Sequence, residues 1–288
     1  MNWLFPAILN AFSKALQDYV TKRSVGADLH PFLIAWSIML LAVPFLAPLL
    51  WLHPLPELGP DFWPAVAASA MLNAIAISLY VHALHYSDLS LTVPLSAVSP
   101  LFMLGATPLM LGESVPPMGM VGVVLIVAGV WLINADNWRE GFLAPWRALF
   151  HHKGPRLMLG VAFLWSISSN LDKIAVQNSS PLFYAFTIAW AIALAMTPAV
   201  LLFARRHLGQ TLRRPLPLLA VGFLSAVGTF CHMTALTMAP APYVVAVKRT
   251  SVLLSVLMGG VLLQEARPRQ RFFGAAVMLS GVVVILFA

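Results

Sequence analysis

Apolar runs of membrane-spanning length fill almost the whole chain, and they restrict its fold more than any other feature. Each run has about 18–23 residues between boundaries of charged residues, proline or glycine, which is enough to cross a bilayer as a helix. Hydrocarbon offers backbone groups no partner, so runs of this length are predicted to be helical. The ten runs cover residues 3–22, 31–52, 63–85, 91–111, 117–134, 157–177, 181–203, 216–238, 241–263 and 270–287. We therefore predict an all-α integral membrane protein with ten transmembrane helices.

Composition agrees with this fold class and excludes several kinds of site. The chain is 60% hydrophobic and 9% charged, whereas a soluble domain carries about 25% charged residues. The net charge is +7, but the basic residues lie in short loops between the runs, which is typical of membrane topology and not of a nucleic-acid surface. The single cysteine, Cys231, excludes a disulfide within the chain and a zinc cluster of cysteines. His151 and His152 have no carboxylate or thiol close in sequence, so we expect no metal site and no cofactor.

The two halves of the chain repeat each other. At a constant offset of 152 residues, as from Glu113 to Glu265, a set of non-aliphatic landmarks recurs: Glu113-x2-Pro116-x5-Gly122-x6-Gly129 and Glu265-x2-Pro268-x5-Gly274-x6-Gly281. Ser99 matches Ser251 at the same offset. We predict one five-helix repeat in residues 1–135, a basic connecting loop in residues 136–156 and a second five-helix repeat in residues 157–288.

An odd number of spans per repeat requires the two repeats to enter the membrane from opposite sides, around a central cavity. The charges agree, because the loops after runs one, five, seven and nine all lie on one side. They hold 13 of the 17 lysines and arginines: Lys22, Arg23, Arg139, Arg147, Lys153, Arg156, Arg205, Arg206, Arg213, Arg214, Arg267, Arg269 and Arg271. The positive-inside rule places these loops in the cytoplasm and both termini outside.

In these features the chain resembles the drug/metabolite transporter superfamily, specifically ten-span carriers of the EamA type. The resemblance rests on the repeat, the hinges Gly112-Glu113 and Gln264-Glu265, the Gly-rich spans after them, and Trp165-x7-Lys173 in the sixth span. It implies a secondary carrier of small organic solutes, not an enzyme, mainly an exporter or exchanger in a bacterial cytoplasmic membrane, monomeric or homodimeric. The family is usually drawn with cytoplasmic termini, the reverse of the orientation that the charges favour.

The adjacent pair Lys248-Arg249 lies inside the apolar ninth run. Each charge in a span costs about 2.5–3.5 kcal/mol on insertion scales, so such residues normally face a protein interior or a water-filled cavity. The pair also resembles the Lys-Arg pair in the ninth span of plastid sugar-phosphate carriers, which implies contact with an anionic group. Adjacent helical residues point about 100° apart, so we expect one of them to line the cavity and the other to pair with a neighbouring helix. The alternative is snorkelling to the interface.

The first repeat carries Ser96 and Ala97 where the second carries Lys248 and Arg249. Since the cations are not part of the shared scaffold, we assign them to the substrate. An arginine fork and a lysine point charge suit a carboxylate, sulfonate or phosphate. We therefore expect a small anionic solute.

Polar stripes mark the first and sixth runs. Asn10, Lys14, Asp18 and Lys22 are spaced at i, i+4, and Asn170 and Lys173 share a face with Ser166, with Asp172 beside them. Such a stripe turns away from lipid. It either forms ion pairs between helices or contacts substrate or protons. Asp18 and Asp172 are the carboxylates within runs, which makes them candidates for proton coupling unless a neighbouring lysine keeps them ionised.

The candidate substrate-binding residues are completed by four more side chains. His232 lies well inside the eighth run and aligns with Tyr80 across the repeat, and Ser251 and Tyr243 lie beside the cationic pair. Other functions stay open. The chain could carry neutral or zwitterionic amino acids or amphipathic drugs, with a structural Lys-Arg pair, or it could be a flippase for lipid head groups such as polyprenyl phosphate. A membrane enzyme should show an acidic or histidine cluster in an interfacial loop, and residues 53–62 and 135–156 show none.

Overall fold

Every regular element in the described part of the chain is helical. The computed structural model describes residues 3–25, 29–51, 54–112, 119–133, 152–209, 215–239, 241–265 and 268–287. The first half contains α1 (Leu4–Val25), α2 (Pro31–Leu40), α3 (Val43–Leu50), α4 (Phe62–Tyr86), α5 (Leu89–Thr92), a 3-10 segment (Val93–Val98), α6 (Ser99–Leu111) and α7 (Gly119–Ile133). The second half contains α8 (Lys153–Gln177), α9 (Pro181–Phe203), a 3-10 turn (Arg205–His207), α10 (Pro215–Met238), α11 (Ala241–Lys248), α12 (Ser251–Leu262) and α13 (Pro268–Phe287).

Each of the ten predicted runs coincides with one helix or with an interrupted helix. Five of these segments are long and apolar enough to cross a bilayer: residues 31–50, 62–86, 89–111, 181–203 and 215–238. The all-α membrane fold class is thereby confirmed. That the other five segments also span the bilayer stays a prediction.

The fourth and ninth predicted spans are interrupted at matching positions. The fourth consists of α5, the 3-10 segment and α6, and Pro94 and Pro100 lie where the regular helix is lost, because proline removes a backbone donor. The ninth ends its first part at Lys248 and resumes at Ser251. There Val252 donates to the carbonyl of Arg249 at 3.0 Å, an i to i+3 bond of the tighter 3-10 kind. The sequence predicts a continuous apolar run for each of these spans, and it does not indicate the interruptions.

Helix packing follows the repeat. α1 packs along α10, and α4 packs along α8, so the two pairs exchange when the repeats are exchanged. α7 packs along α13, the last helices of the two repeats. The shared glycines lie at this contact: a Cβ on Gly281 would come within 2.5 Å of the carbonyl oxygen of Gly122, and one on Gly129 within 2.6 Å of the backbone nitrogen of Met278. The repeated glycines are therefore explained by close approach of two backbones.

Contacts between loops show the opposite entry of the two repeats. The loops after odd-numbered spans meet one another through Asp88 with Arg271, Tyr86 with Lys153, and His30 with His207. On the other side, the loop after the second span meets the loop after the sixth, where Gly59 donates to the carbonyl of Asn178 at 3.0 Å. The predicted arrangement of two inverted repeats is confirmed. We call the side that holds Asp88 and Arg271 the basic side.

Candidate functional site

A cavity of about 120 Å³ lies between the two repeats. It is lined by α1, α2, α4, α8, α9, α10 and α11. A water needs roughly 10–15 Å³ on the same measure, so the cavity has room for several waters or for a small solute. The polar and aromatic lining consists of Asn10, Lys14, Gln17, Asn73, Tyr80, Trp165, Ser168, Ser169, Asp172, Ser225, Thr229, His232, Lys248 and Arg249.

Half of the predicted site residues line this cavity: Lys14, Tyr80, Asp172, His232, Lys248 and Arg249. Ser96 and Asp18 lie directly behind the lining and hold residues of it. Asn170 is turned away, because its side-chain oxygen accepts from Thr107 on α6 at 3.0 Å and its amide donates to the carbonyl of Ser166. Lys173 and Ser251 are buried and do not line the cavity. The side chain of Tyr243 lies outside those that the structure describes.

Both members of the cationic pair reach the cavity. The sequence predicts that one of them lines the cavity and that the other pairs with a neighbouring helix; both line it, and Arg249 also donates to Ser96 and Ser99 of the first repeat. α11 ends at Lys248, and Arg249 and Thr250 form a turn before α12 begins. The N–H of Arg249 still donates to the carbonyl of Val245 at 3.1 Å, so the two side chains leave the helix in different directions, and both border the cavity. Interrupted helices at the repeat interface are a recurrent way to build a solute site in transporters.

Arg249 is held by the first repeat. Its Nη1 donates to the hydroxyl of Ser96 at 3.2 Å, and its Nη2 donates to Ser99 at 2.6 Å. The guanidinium carbon lies 5.5 Å from the ring centroid of Trp165, which is cation–π distance. Arg249 is only 4% exposed, yet no carboxylate lies within ion-pair distance of it among the described residues. Ser96, the first repeat's counterpart of Lys248, is thus used to position the second repeat's arginine.

Lys248 is the cavity cation that has the fewest partners. It lines the cavity, and its ammonium group makes no hydrogen bond or ion pair with any described residue. A desolvated charge without a partner is costly. The structure therefore holds a positive group that a bound anion could neutralise.

Lys14 and Asp18 form an ion pair on α1 beside the cavity. The ammonium of Lys14 also lies 4.0 Å from the ring centroid of Tyr80. Asp18 is fully buried and accepts from the hydroxyl of Tyr80 at 2.5 Å and from Ser255 at 3.0 Å. Of the two alternatives for the stripe on α1, the contacts favour a structural ion pair, and both oxygens of Asp18 are already engaged.

Asp172 differs from Asp18. Ser69 and Tyr184 both donate to its Oδ1, the latter at 2.6 Å. Among the described residues no cation lies within ion-pair distance of its carboxylate, and Oδ2 has no hydrogen-bond partner. Asp172 also lines the cavity. It is therefore a carboxylate with one oxygen free for a solute or a proton.

The charges around the cavity do not balance. Three cations line it, Lys14, Lys248 and Arg249, against the two carboxylates Asp18 and Asp172, which leaves one net positive charge among the described residues. The amide nitrogen of Asn10 lies 3.3 Å from Nδ1 of His232, and these two neutral polar groups also line the cavity. The arrangement suits a solute with an anionic end and a polar remainder.

A second polar cluster joins the repeats on the basic side, and sequence reasoning missed it. Glu265 follows α12, and its carboxylate accepts the backbone N–H groups of Leu89 at 2.6 Å and of Ser90 at 2.8 Å. It thereby caps the N-terminus of α5, in the other repeat. Arg271 donates to Asp88 at 3.0 Å and to Ser90 at 2.6 Å. We call these five residues the Glu265 cluster.

Lys22 adds to the closure of this side. Its ammonium donates to the carbonyl oxygens of Leu84 at 2.8 Å and Ser87 at 2.7 Å, which satisfies the C-terminus of α4. A glutamate after the fourth span of each repeat was visible in the sequence. The partners of Glu265 were not, because Leu89 and Ser90 lie in the other repeat, about 175 residues away.

The chain is similar to a protein family, to a relative of known sequence and to proteins of solved structure. The model of the EamA-like transporter family matches residues 1–135 and 152–287, that is, both halves of the chain. An uncharacterised protein of Methanocaldococcus jannaschii is 35% identical over 69 residues, which cover 24% of this chain and 50% of that protein. The match thus spans half the length of that relative. A crystal structure of another protein resembles this one with a TM-score of 0.64 at 17% identity, over 96% of this chain and 95% of that one, and it supports the fold alone.

Proposed function

Since the chain belongs to the EamA-like transporter family, we propose that it is a secondary active transporter of a small anionic organic solute. The single observation that carries the choice of an anion is the ammonium of Lys248, which lines the cavity without a partner among the described residues. The net positive charge of the cavity supports the same choice. A carboxylate, sulfonate or phosphate would accept from Lys248 and from the guanidinium of Arg249.

Arg249 supports anion binding in a second way. Its contacts with Ser96, Ser99 and Trp165 fix the plane of the guanidinium beside the cavity. A fixed planar fork loses little entropy when it binds an oxyanion. Lys248 is a flexible point charge and would follow the anion as the cavity changes shape. The pair therefore combines a rigid and a mobile donor.

Alternating access is proposed as the mechanism. The cavity lies where the interrupted spans of the two repeats meet, and rocking of one repeat against the other would open it to each side in turn. The Glu265 cluster bonds the repeats on the basic side, so it would have to break when that side opens. Capping bonds at a helix end can exchange with water during such a motion. Export or exchange is the direction that we propose, in a bacterial cytoplasmic membrane, with both termini outside as the charges favour.

A second candidate solute class has its own observation. Asp172 and Lys248 both line the cavity, and among the described residues one carboxylate oxygen of Asp172 and the ammonium of Lys248 have no partner. A zwitterion such as an amino acid could pair with both, its ammonium with Asp172 and its carboxylate with Lys248. The two candidates differ in whether Asp172 contributes an essential charge.

The test is uptake into proteoliposomes with a panel of carboxylates, sulfonates, phosphates and amino acids. We expect transport of at least one anionic class, and Lys248→Ala and Arg249→Ala should each lower its apparent affinity by about 10- to 100-fold, the value of a hydrogen bond to a charged group. The matched control is Thr250→Ala, since Thr250 is exposed and its hydroxyl bonds only to the carbonyl of Val247. Wild-type transport of every anion by both cavity variants would overturn the anion proposal.

A further inference from the structure

Among the described residues, Asp18 and Asp172 are the carboxylates at the cavity, and their contacts separate their roles. Asp18 is paired with Lys14 and accepts on both oxygens. Asp172 accepts hydrogen bonds from the hydroxyl groups of Ser69 and Tyr184, both on Oδ1. Its Oδ2 has no partner among the described residues, and the residue borders the cavity. A proton from water in the cavity can therefore reach Asp172 without breaking an ion pair.

The charged groups around Asp172 determine how its protonation affects the binding of an anion. The titratable and charged side chains that face it from the surrounding helices are Tyr184 on α9, Tyr80 on α4, Lys14 with Asp18 behind it on α1, His232 on α10, and Lys248 and Arg249 at the end of α11. On its own helix Lys173 is the next residue. With Asp172 ionised, the cavity has one net positive charge; with Asp172 protonated, it has two. Protonation of Asp172 thus removes a negative charge that would repel a bound anion.

We propose that Asp172 is a proton-binding site of the transport cycle, and that proton binding at its Oδ2 and anion binding at Lys248 and Arg249 strengthen each other. This inference rests on the proposed function. The proton enters as an O–H bond on the carboxylate and leaves to water on the other side of the membrane, so no other reactant is needed. The carrier then moves proton and anion in the same direction, so export of the anion removes one proton with it and is driven by the outward gradient of the anion.

The sign of the coupling follows from the arrangement. In an antiporter, proton binding must weaken solute binding, which requires the proton to compete with the solute for one group. Here the anion binds to cations and the proton binds to a carboxylate that would repel the anion. By linkage, an anion that binds better to the protonated protein must also draw a proton onto it.

The experiment measures proton uptake on anion binding. Purified protein in weakly buffered detergent, with a pH indicator dye, is titrated with methanesulfonate, which stays fully ionised between about pH 5.5 and pH 8. Binding is followed in parallel by calorimetry. We expect the wild type to take up a proton when it binds the anion. Its affinity for methanesulfonate should be about tenfold higher at about pH 5.5 than at about pH 8, which is within the usual range of coupling energies.

Asp172→Asn is the test variant, because the amide keeps an acceptor oxygen for Ser69 and Tyr184 and cannot take up the proton. It should bind methanesulfonate with an affinity that no longer changes with pH, and without proton uptake. The matched variants Asp18→Asn and His232→Gln should still take up the proton when they bind.

Each possible outcome either supports or overturns the role of Asp172 as a proton-binding site. Three outcomes would overturn the inference but not the assignment of an anionic solute. The wild type could bind methanesulfonate without proton uptake. Proton uptake could persist in Asp172→Asn, or it could disappear only in His232→Gln. Failure of methanesulfonate to bind the wild type at either pH overturns the anion assignment, and the inference with it.

Discussion

The hydroxyl of Ser99 in the first repeat accepts a 2.6 Å hydrogen bond from Nη2 of Arg249 in the second repeat. This bond joins the two interrupted spans at the cavity. It also gives a deeply buried guanidinium one of its few partners, because no described carboxylate lies within ion-pair distance of it.

Replacing Ser99 with alanine should therefore weaken both folding and anion binding. A buried charged donor left without its partner costs about 1–3 kcal/mol, and the guanidinium loses its fixed plane. Melting temperature and apparent anion affinity in proteoliposomes measure the two effects. Ser78→Ala is the control, since the hydroxyl of Ser78 bonds only to the carbonyl of Ala74 in its own helix. Equal behaviour of the two variants would contradict the role given to Ser99.

Glu265→Gln should destabilise the form that is closed on the basic side. Glutamine can accept only one of the two backbone bonds from Leu89 and Ser90 and loses the charge opposite Arg271. Hydrogen bonds to a charged group contribute about 1.5–3 kcal/mol, so a lower melting temperature is expected. Glu57→Gln is the matched control, because Glu57 is exposed. A melting temperature as high as that of the control would show that the Glu265 cluster does not stabilise the closed form.

The helices and the repeat could be predicted from the sequence, but the contacts that build the site could not. The helices, the repeat and its inversion follow from local apolar runs and from a constant offset, and they were predicted. The turn at Arg249 and Thr250 was not, because residues 243–263 contain no proline and read as one apolar run. The bonds from Arg249 to Ser96 and Ser99, and from Glu265 to Leu89 and Ser90, join residues about 150–176 positions apart. No local pattern indicates such partners.

Substitutions at the C-terminal ends of the fourth and ninth spans should have opposite effects on stability. Gly112 has φ +67° and its counterpart Gln264 has φ +54°, both in the left-handed region. A non-glycine residue there costs about 1–2 kcal/mol. Gln264→Gly should therefore stabilise the protein by about 1 kcal/mol, and Gly112→Gln should destabilise it by a similar amount, since a Cβ there meets nothing within 4 Å. Melting temperatures that move in the same direction for both variants would exclude backbone strain as the cause.

The crossing of α7 and α13 should not tolerate a methyl group. A Cβ at position 281 would lie 2.5 Å from the carbonyl oxygen of Gly122 and 2.8 Å from the backbone nitrogen of Ile126. Gly281→Ala should thus separate the helices and cost about 1–3 kcal/mol, the usual penalty of overpacking. Gly105→Ala serves as the control: it meets nothing within 4 Å, and the higher helix propensity of alanine should stabilise α6 by up to about 1 kcal/mol. Fluorescence-detected melting compares the two.

The charge of Lys248 should decide the charge of the solute. In the described cavity Lys248→Met removes one positive charge, and Lys248→Glu changes the balance of cations and carboxylates from one net positive to one net negative. The methionine variant keeps the comparison informative if the glutamate variant does not fold.

The most direct measurement is the ratio of anion uptake to uptake of an uncharged analogue of the same shape, methanesulfonate against dimethyl sulfone, in proteoliposomes of the three folded proteins. The ratio should fall by about tenfold or more from wild type to Lys248→Met, and should fall again in Lys248→Glu. A ratio that is the same in the wild type and in a folded Lys248→Met variant would show that the charge of Lys248 does not select the solute.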